Sequence, residues 1–247
     1  MILARLSSSP RQFATVGLVA LLFAGCSTPT ATPTPSPSAP PTNPPTTPPY
    51  TLGPEPSACP TSAPAAMTSG TATVTMTTNF GNIVVKVDSS LGANAAGAFV
   101  ALARCGYYDN VIFHRIVTAF IVQVGDGQYA RLPSFQPDKM GQGGPGWTIP
   151  DDKVTTTYKR GTVAMARTSE ANSANTQFFI VLDDEAQTAL GDASANNYAI
   201  FGTVTSGMDV VDRIAAIPLG GEPGANGEPA SMPLQPAVIT STVVATP

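Results

Sequence analysis

Within the run YYDNVIFHRIVTAFIVQVGD, from Tyr107 to Asp126, one guanidinium, that of Arg115, stands among Phe113, Phe120 and Ile121. Taking such a charge out of water is costly unless something compensates it. A lone strand arginine would lay its stem on the apolar surface and return its head to solvent. Arg115 is not alone: GTVAMAR (161–167) and NTQFFIVL (175–182) again set single polar groups inside apolar strands. A fixed, charged donor beside apolar surface can stabilise charge that develops on a neutral acceptor, with no nucleophile or metal in the step. The one histidine, His114, has no metal-ligand spacing around it, so no metal site is expected. It reads as a packed strand residue rather than a catalytic base.

The elements that must hold these groups are mostly strands. Thr71 to Thr78 alternates, Asn79-Phe80-Gly81-Asn82 offers a turn, and Ile83 to Val87 alternates again, which predicts a hairpin. Asn94 is a candidate cap for a helix over 95–105, with Phe99, Leu102 and Ala103 on one face and Gly106 as its stop. Further strands are expected at 111–117, 120–125, 161–166, 177–182, 198–204 and 237–245, and a second helix at 209–216. The Gly/Pro-rich stretch 127–150 reads as irregular loop. Many antiparallel strands with two short helices suggest a mainly β, closed barrel, since closure removes exposed edges. Gly141-Gln142-Gly143-Gly144-Pro145-Gly146 matches the letters GxGxxG, but it follows no convincing strand and opens no helix, so it is not a dinucleotide cradle.

The chain's N-terminal part is organised differently. Residues 1–25 carry Arg5 and Arg11 and then an apolar run from Phe13 to Gly25, too short for a spanning helix, which reads as a signal peptide. It ends in Leu22-Phe23-Ala24-Gly25-Cys26, which resembles a bacterial lipobox, although Phe23 occupies the position where Leu is usual. Cleavage there would leave Cys26 to be lipidated and would hold the protein on the outer face of the cell membrane. Residues 26–68 hold fourteen of the twenty-five prolines and one charge, Glu55, the composition of an extended stalk. Residues 69–247 are long enough for one domain with a core. A net charge of −4 and the lack of a Lys/Arg cluster argue against nucleic acid as a partner. Outside the cytoplasm Cys59 and Cys105 could form a disulfide or remain free.

FHRI, AFIVQVGD, GTVAMA, NTQFFI and FGTV, in this order and at these spacings, resemble the cyclophilin-type peptidyl-prolyl isomerases over about 71–245. The resemblance implies a closed eight-stranded antiparallel β-barrel with two capping helices, acting without cofactor, as a monomer, on proline-containing segments of client proteins. Rotation about a peptide bond meets a barrier of about 18–20 kcal/mol because the nitrogen lone pair is delocalised. A guanidinium that donates to the prolyl nitrogen localises that pair and binds the twisted amide best. The resemblance assigns this role to Arg115. Phe120, Ile121, Phe179 and Leu190 would form the cup for the proline ring, with Phe178 in the core. Gln123 would bind the substrate backbone and orient Arg115, Ala166 and Arg167 would line the groove, and Gln177 and Tyr198 would stand at its rim. Arg167 replaces a usual Asn and would change the groove's charge; no tryptophan occurs near Leu190, where many relatives have one. The alternative is a non-catalytic proline-peptide binding module on a lipid-anchored stalk, which would not need a guanidinium aimed at the amide nitrogen.

Overall fold

The computed structural model describes residue 56 and residues 58–191, 198–221 and 230–245. The signal peptide, Cys26 and the stalk as far as 55 lie outside these residues. The strands β1 (Thr71–Thr78) and β2 (Gly81–Asp88) form the expected hairpin. Helix α1 (Ala93–Arg104) follows, then β3 (Val111–Ile112), β4 (Arg115–Val117), β5 (Ile121–Val124), β6 (Thr162–Met165) and β7 (Phe178–Val181). Next come a short α2 (Ala186–Leu190), β8 (Ile200–Ser206), α3 (Met208–Ala215), a two-residue ribbon of β9 (Leu219–Gly220) and β10 (Met232–Pro233), and β11 (Val238–Ala245).

Nine strands make one antiparallel sheet in the order β3-β11-β1-β2-β8-β6-β7-β5-β4. The one strand expected at 111–117 is counted as two here, which raises the expected eight to nine. The segment 111–117 is two strands rather than one, because its pairing changes at Phe113 and His114. The Phe113 N–H donates to Ala237 O on the β11 side, whereas the His114 N–H donates to Gln123 O of β5. Among the described residues no ladder joins β3 to β4, yet these two ends of the sheet are separated in the chain by only Phe113 and His114, so the sheet curls round. Alternation then sorts side chains by face. Ile116, Val122, Ile180 and Val163, opposite one another across four strands, all enter the main core with Phe99, Phe178 and Phe201.

Helix α1 differs from expectation at its start. It begins at Ala93 after Gly92, and Asn94 is not its cap. The carboxylate of Asp152, from a distant loop, accepts the N–H groups of Asn94 and Ala95 at 3.1 and 2.8 Å. An acidic group at a helix N-terminus satisfies orphan donors wherever it sits in the chain, so spacing could not reveal it. Gly106 ends the turn with φ +76°.

Residues 58–68, assigned from composition to the stalk, are fixed to the domain. Cys59 and Cys105 form a disulfide, Trp147 Nε1 donates to Pro60 O at 3.1 Å, and Met67 N donates to Ala93 O at 2.9 Å. Gly97 is the close approach: a Cβ there would stand 2.2 Å from Ala65 O.

Candidate active site

The register of the sheet builds a row of side chains on the face opposite the core. Arg115 pairs with Gln123, Gln123 with Phe179, and Phe179 with Ala164, across β4, β5, β7 and β6. Directly opposed residues share a face, so a cation, an amide and an aromatic ring from three separate segments lie side by side. The neighbouring row runs Val117, Ile121, Val181. Between β4 and β5 the chain turns through Thr118 and Ala119, with Ala119 in the left-handed region at φ +57°, and the Phe120 N–H donates to Val117 O at 3.0 Å.

These outward residues form an apolar cluster separate from the main core. It contains Ile121, Phe179, Leu190 and Ile200, with Phe120, Ala166 and Tyr198 partly buried against it. All the apolar groups that sequence assigned to the cup are therefore in one cluster, while Phe178 belongs to the main core. Phe179 and Ile121 are only 2% and 3% exposed. Phe120 stands nearer solvent and shares with Arg115 and Val117 a cavity of about 260 Å³.

A directed chain of hydrogen bonds orients the cation. Gln177 Nε2 donates to both Gly141 O and Gly143 O at 3.0 Å, so its Oε1 is left to accept from Gln123 Nε2, also at 3.0 Å. That turns Gln123 Oε1 toward Arg115, whose Nη1 donates to it at a long 3.4 Å. Each amide has one acceptor end and one donor end, so fixing the last fixes the first. Among the described residues no carboxylate pairs with Arg115. Four of a guanidinium's five N–H donors are thus free of side-chain partners there and can meet a ligand.

The glycine-rich loop that positions the end of this chain cradles an anion, namely the protein's own Asp126. That fully buried carboxylate accepts the N–H groups of Gln128, Tyr129, Gly141 and Gly143 at 2.8–3.1 Å. Gly143 has no space for a side chain, since a Cβ would fall 2.0 Å from Asp126 Oδ1. Its carbonyl and that of Gly141 therefore stand where Gln177 needs them. Sequence reasoning missed Gly141, Gln142 and Gly143 as groove residues, although they line a polar cavity with Gln123, Ala166 and Gln177.

Arg167 lines the same cavity, but the expected change in groove charge is offset. Its Nη2 lies 3.3 Å from Asp151 Oδ2 and donates to Glu170 O at 2.8 Å, and its side chain is 8% exposed. At the other rim, the Tyr158 hydroxyl donates to Tyr198 O and accepts from Tyr198 N, at 2.7 and 3.1 Å. The Tyr198 ring then meets Phe179 edge-on, with centroids 5.4 Å apart. Burial pushes the Tyr158 phenol up to about 12, so it remains a donor at any ordinary pH. Tyr158 lies in a stretch with no periodic signal and was not foreseen.

His114 is 6% exposed, and neither ring nitrogen has a hydrogen-bond partner. Burial dominates and lowers its pKa to about 4, with Asp126 opposing and Arg115 reinforcing the shift. A ring this difficult to protonate is not a general base matched to neutral pH.

Comparison with known proteins points to one family. The family model described as cyclophilin type peptidyl-prolyl cis-trans isomerase/CLD matches residues 73–244. A peptidyl-prolyl cis-trans isomerase of Streptomyces antibioticus is 34% identical over 176 residues, covering 70% of this chain and 98% of that protein. Peptidyl-prolyl cis-trans isomerase B of Escherichia coli K12 is 33% identical over 174 residues, 69% and 98% of the two chains. The crystal structure of a cyclophilin-type isomerase from Cryptosporidium parvum superposes with a TM-score of 0.57 at 26% identity, covering 72% of this chain and 99% of that one. The same protein solved in the presence of the dipeptide Ala-Pro gives 0.56.

Proposed function

The chain belongs to the cyclophilin-type peptidyl-prolyl cis-trans isomerases, and from that premise we propose how and where it works. The proline ring of a client segment rests on the cluster of Phe120, Ile121 and Phe179, backed by Leu190, while Arg115 donates to the prolyl nitrogen. As the amide twists, the lone pair returns to that nitrogen and the hydrogen bond strengthens, which lowers the barrier rather than only binding the ground state. Gln123 holds the guanidinium and the client backbone, and Ala166 and the backbone of Arg167 carry the chain along the groove. One observation carries this reading: an arginine without a carboxylate partner among the described residues lies in register with Gln123 and Phe179. The Ala-Pro dipeptide named with the Cryptosporidium parvum structure is the same kind of ligand.

A charged hydrogen bond contributes about 1.5–3 kcal/mol, whereas enzymes usually lower barriers by about 8 or more. Desolvation and fixed orientation on the apolar cluster must supply the remainder. Arg115→Ala in the full-length protein should therefore lose about 2–4 kcal/mol of transition-state stabilisation, read as kcat/KM in a protease-coupled assay on a proline tetrapeptide. Unimpaired turnover by the folded variant rejects the mechanism.

We read Val111–Val117 as one bent strand that closes the sheet into an eight-stranded barrel, supported by β3 pairing with β11 and β4 with β5. The clients are proteins folding outside the cytoplasm, where slow proline isomerisation delays folding. The Cys59–Cys105 disulfide supports an oxidising location. The lipobox-like sequence at Cys26 and the proline-rich tract after it support a lipid-anchored domain on the outer membrane face.

A further inference from the structure

We propose, resting on the isomerase reading above, that the client chain continues past Arg115 into an apolar trough that takes an aliphatic or aromatic client side chain several residues from the proline. The groove around Arg115 and Gln123 opens into a cavity of about 580 Å³ that also contains His114, Pro137, Met140 and Met232. The same four residues form one wall of an adjoining trough of about 270 Å³, completed on the far side by Phe135 and Leu234 among others. The two spaces therefore adjoin along these four residues, and in the proposal a peptide held at Arg115 passes over them into the second. Among the described residues no charged side chain lines the trough, so an acidic or basic residue would lose its hydration there without gaining a partner from them.

A further observation points to an occupant. Phe135 and Leu234 are 43% and 67% exposed, two of the three large hydrophobic side chains left at the surface among the described residues. Exposed apolar residues that cluster around a concavity mark binding surfaces more often than scattered ones do. His114 borders both spaces, but its ring nitrogens are enclosed, so it contributes wall rather than a hydrogen-bonding group there. Met140 and Met232 suit variable side chains, since their unbranched thioethers repack easily. In the proposal the docked side chain lies on one side of the proline, with each residue of extended client chain spanning about 3.3 Å.

The test uses the full-length protein and a host peptide with one proline and alanine elsewhere, in which a single leucine is walked from two to five residues away on either side. Leucine at one position on one side should raise kcat/KM by about three- to tenfold, the partial burial of one such side chain, and aspartate there should give no gain. The double variant Phe135→Ser/Leu234→Ser should keep the wild-type rate on the all-alanine peptide and lose the leucine gain. Leu234→Ser alone, at the more exposed position, should reduce that gain and guards against misfolding of the double variant. A flat scan with a wild-type protein active on the all-alanine peptide would overturn the proposal, as would a leucine gain that survives in the double variant. Sedimentation showing a dimer that Leu234→Ser dissolves would overturn it by assigning the patch to self-association. Inactivity toward the all-alanine peptide would overturn the isomerase reading, and the proposal with it.

Discussion

Arg115 and His114 are adjacent in sequence and opposite in solvation, because successive strand residues point to opposite sides. Arg115 reaches a cavity and keeps its charge available, whereas the imidazole is enclosed and its pKa falls to about 4. The consequence for stability has a definite sign. In the unfolded chain the ring titrates near 6.5, so as pH falls from about 6.5 to about 4 the unfolded state binds the proton first and gains relative to the folded one. The contribution of His114 is thus complete above about pH 6.5, is lost progressively on acidification, and is gone below about pH 4. A shift of this size corresponds to about 3 kcal/mol. Urea titrations at pH 7.5 and 4.5 should show a drop for the wild type that is smaller by about that amount in His114→Gln. Equal drops in the two proteins would mean that the imidazole is not buried neutral. The presence of a special arginine was legible in the sequence. The partner of Arg167, Asp151, was not, because an ion pair between a strand end and a loop leaves no spacing signature.

At the level of elements, the strands were the most legible part. Alternation set the hairpin of β1 and β2 and placed Phe178 and Phe179 on opposite faces, and both features depend only on local periodicity. The terminus of α1 was not legible, since its capping carboxylate comes from Asp152. Nor was the use of the Gly141–Gly146 loop, whose glycines wrap Asp126 instead of a phosphate. Residues 58–68 show the limit of composition most clearly. Their proline, serine and alanine content reads as tether, but Cys59 fastens them to the last turn of α1. A disulfide across a separation of 46 residues limits the unfolded chain and should contribute up to about 4 kcal/mol. The double variant Cys59→Ser/Cys105→Ser should lose about 2–4 kcal/mol in equilibrium urea unfolding while its kcat/KM on a short proline peptide stays unchanged. A loss of turnover as large as that for Arg115→Ala would show that the arm belongs to the catalytic apparatus.

For the molecule as a whole, the proposed arrangement is an isomerase held outside the membrane on a tether. Among the described residues no helix is long and apolar enough to cross a bilayer; in the proposed arrangement attachment rests on acyl chains at Cys26. More than one chain is needed for stable anchoring. The full-length protein expressed in bacteria should therefore sediment with membranes and enter the detergent phase, and Cys26→Ser should shift it to the aqueous phase. A Cys26→Ser protein that stays in the membrane would reject lipid attachment at this residue. The sequence by itself determined the family, the β-rich class and the identity of the polar groups inside apolar strands, because these follow from residue order and short-range periodicity. Only the tertiary structure decided that Arg115, Gln123 and Phe179 share one row, that Gln177 directs them through two loop carbonyls, and that Tyr158 pins Tyr198. Register, closure and chains of hydrogen bonds join residues tens of positions apart, and the free energy that selects them comes from packing the whole sheet at once rather than from any one segment.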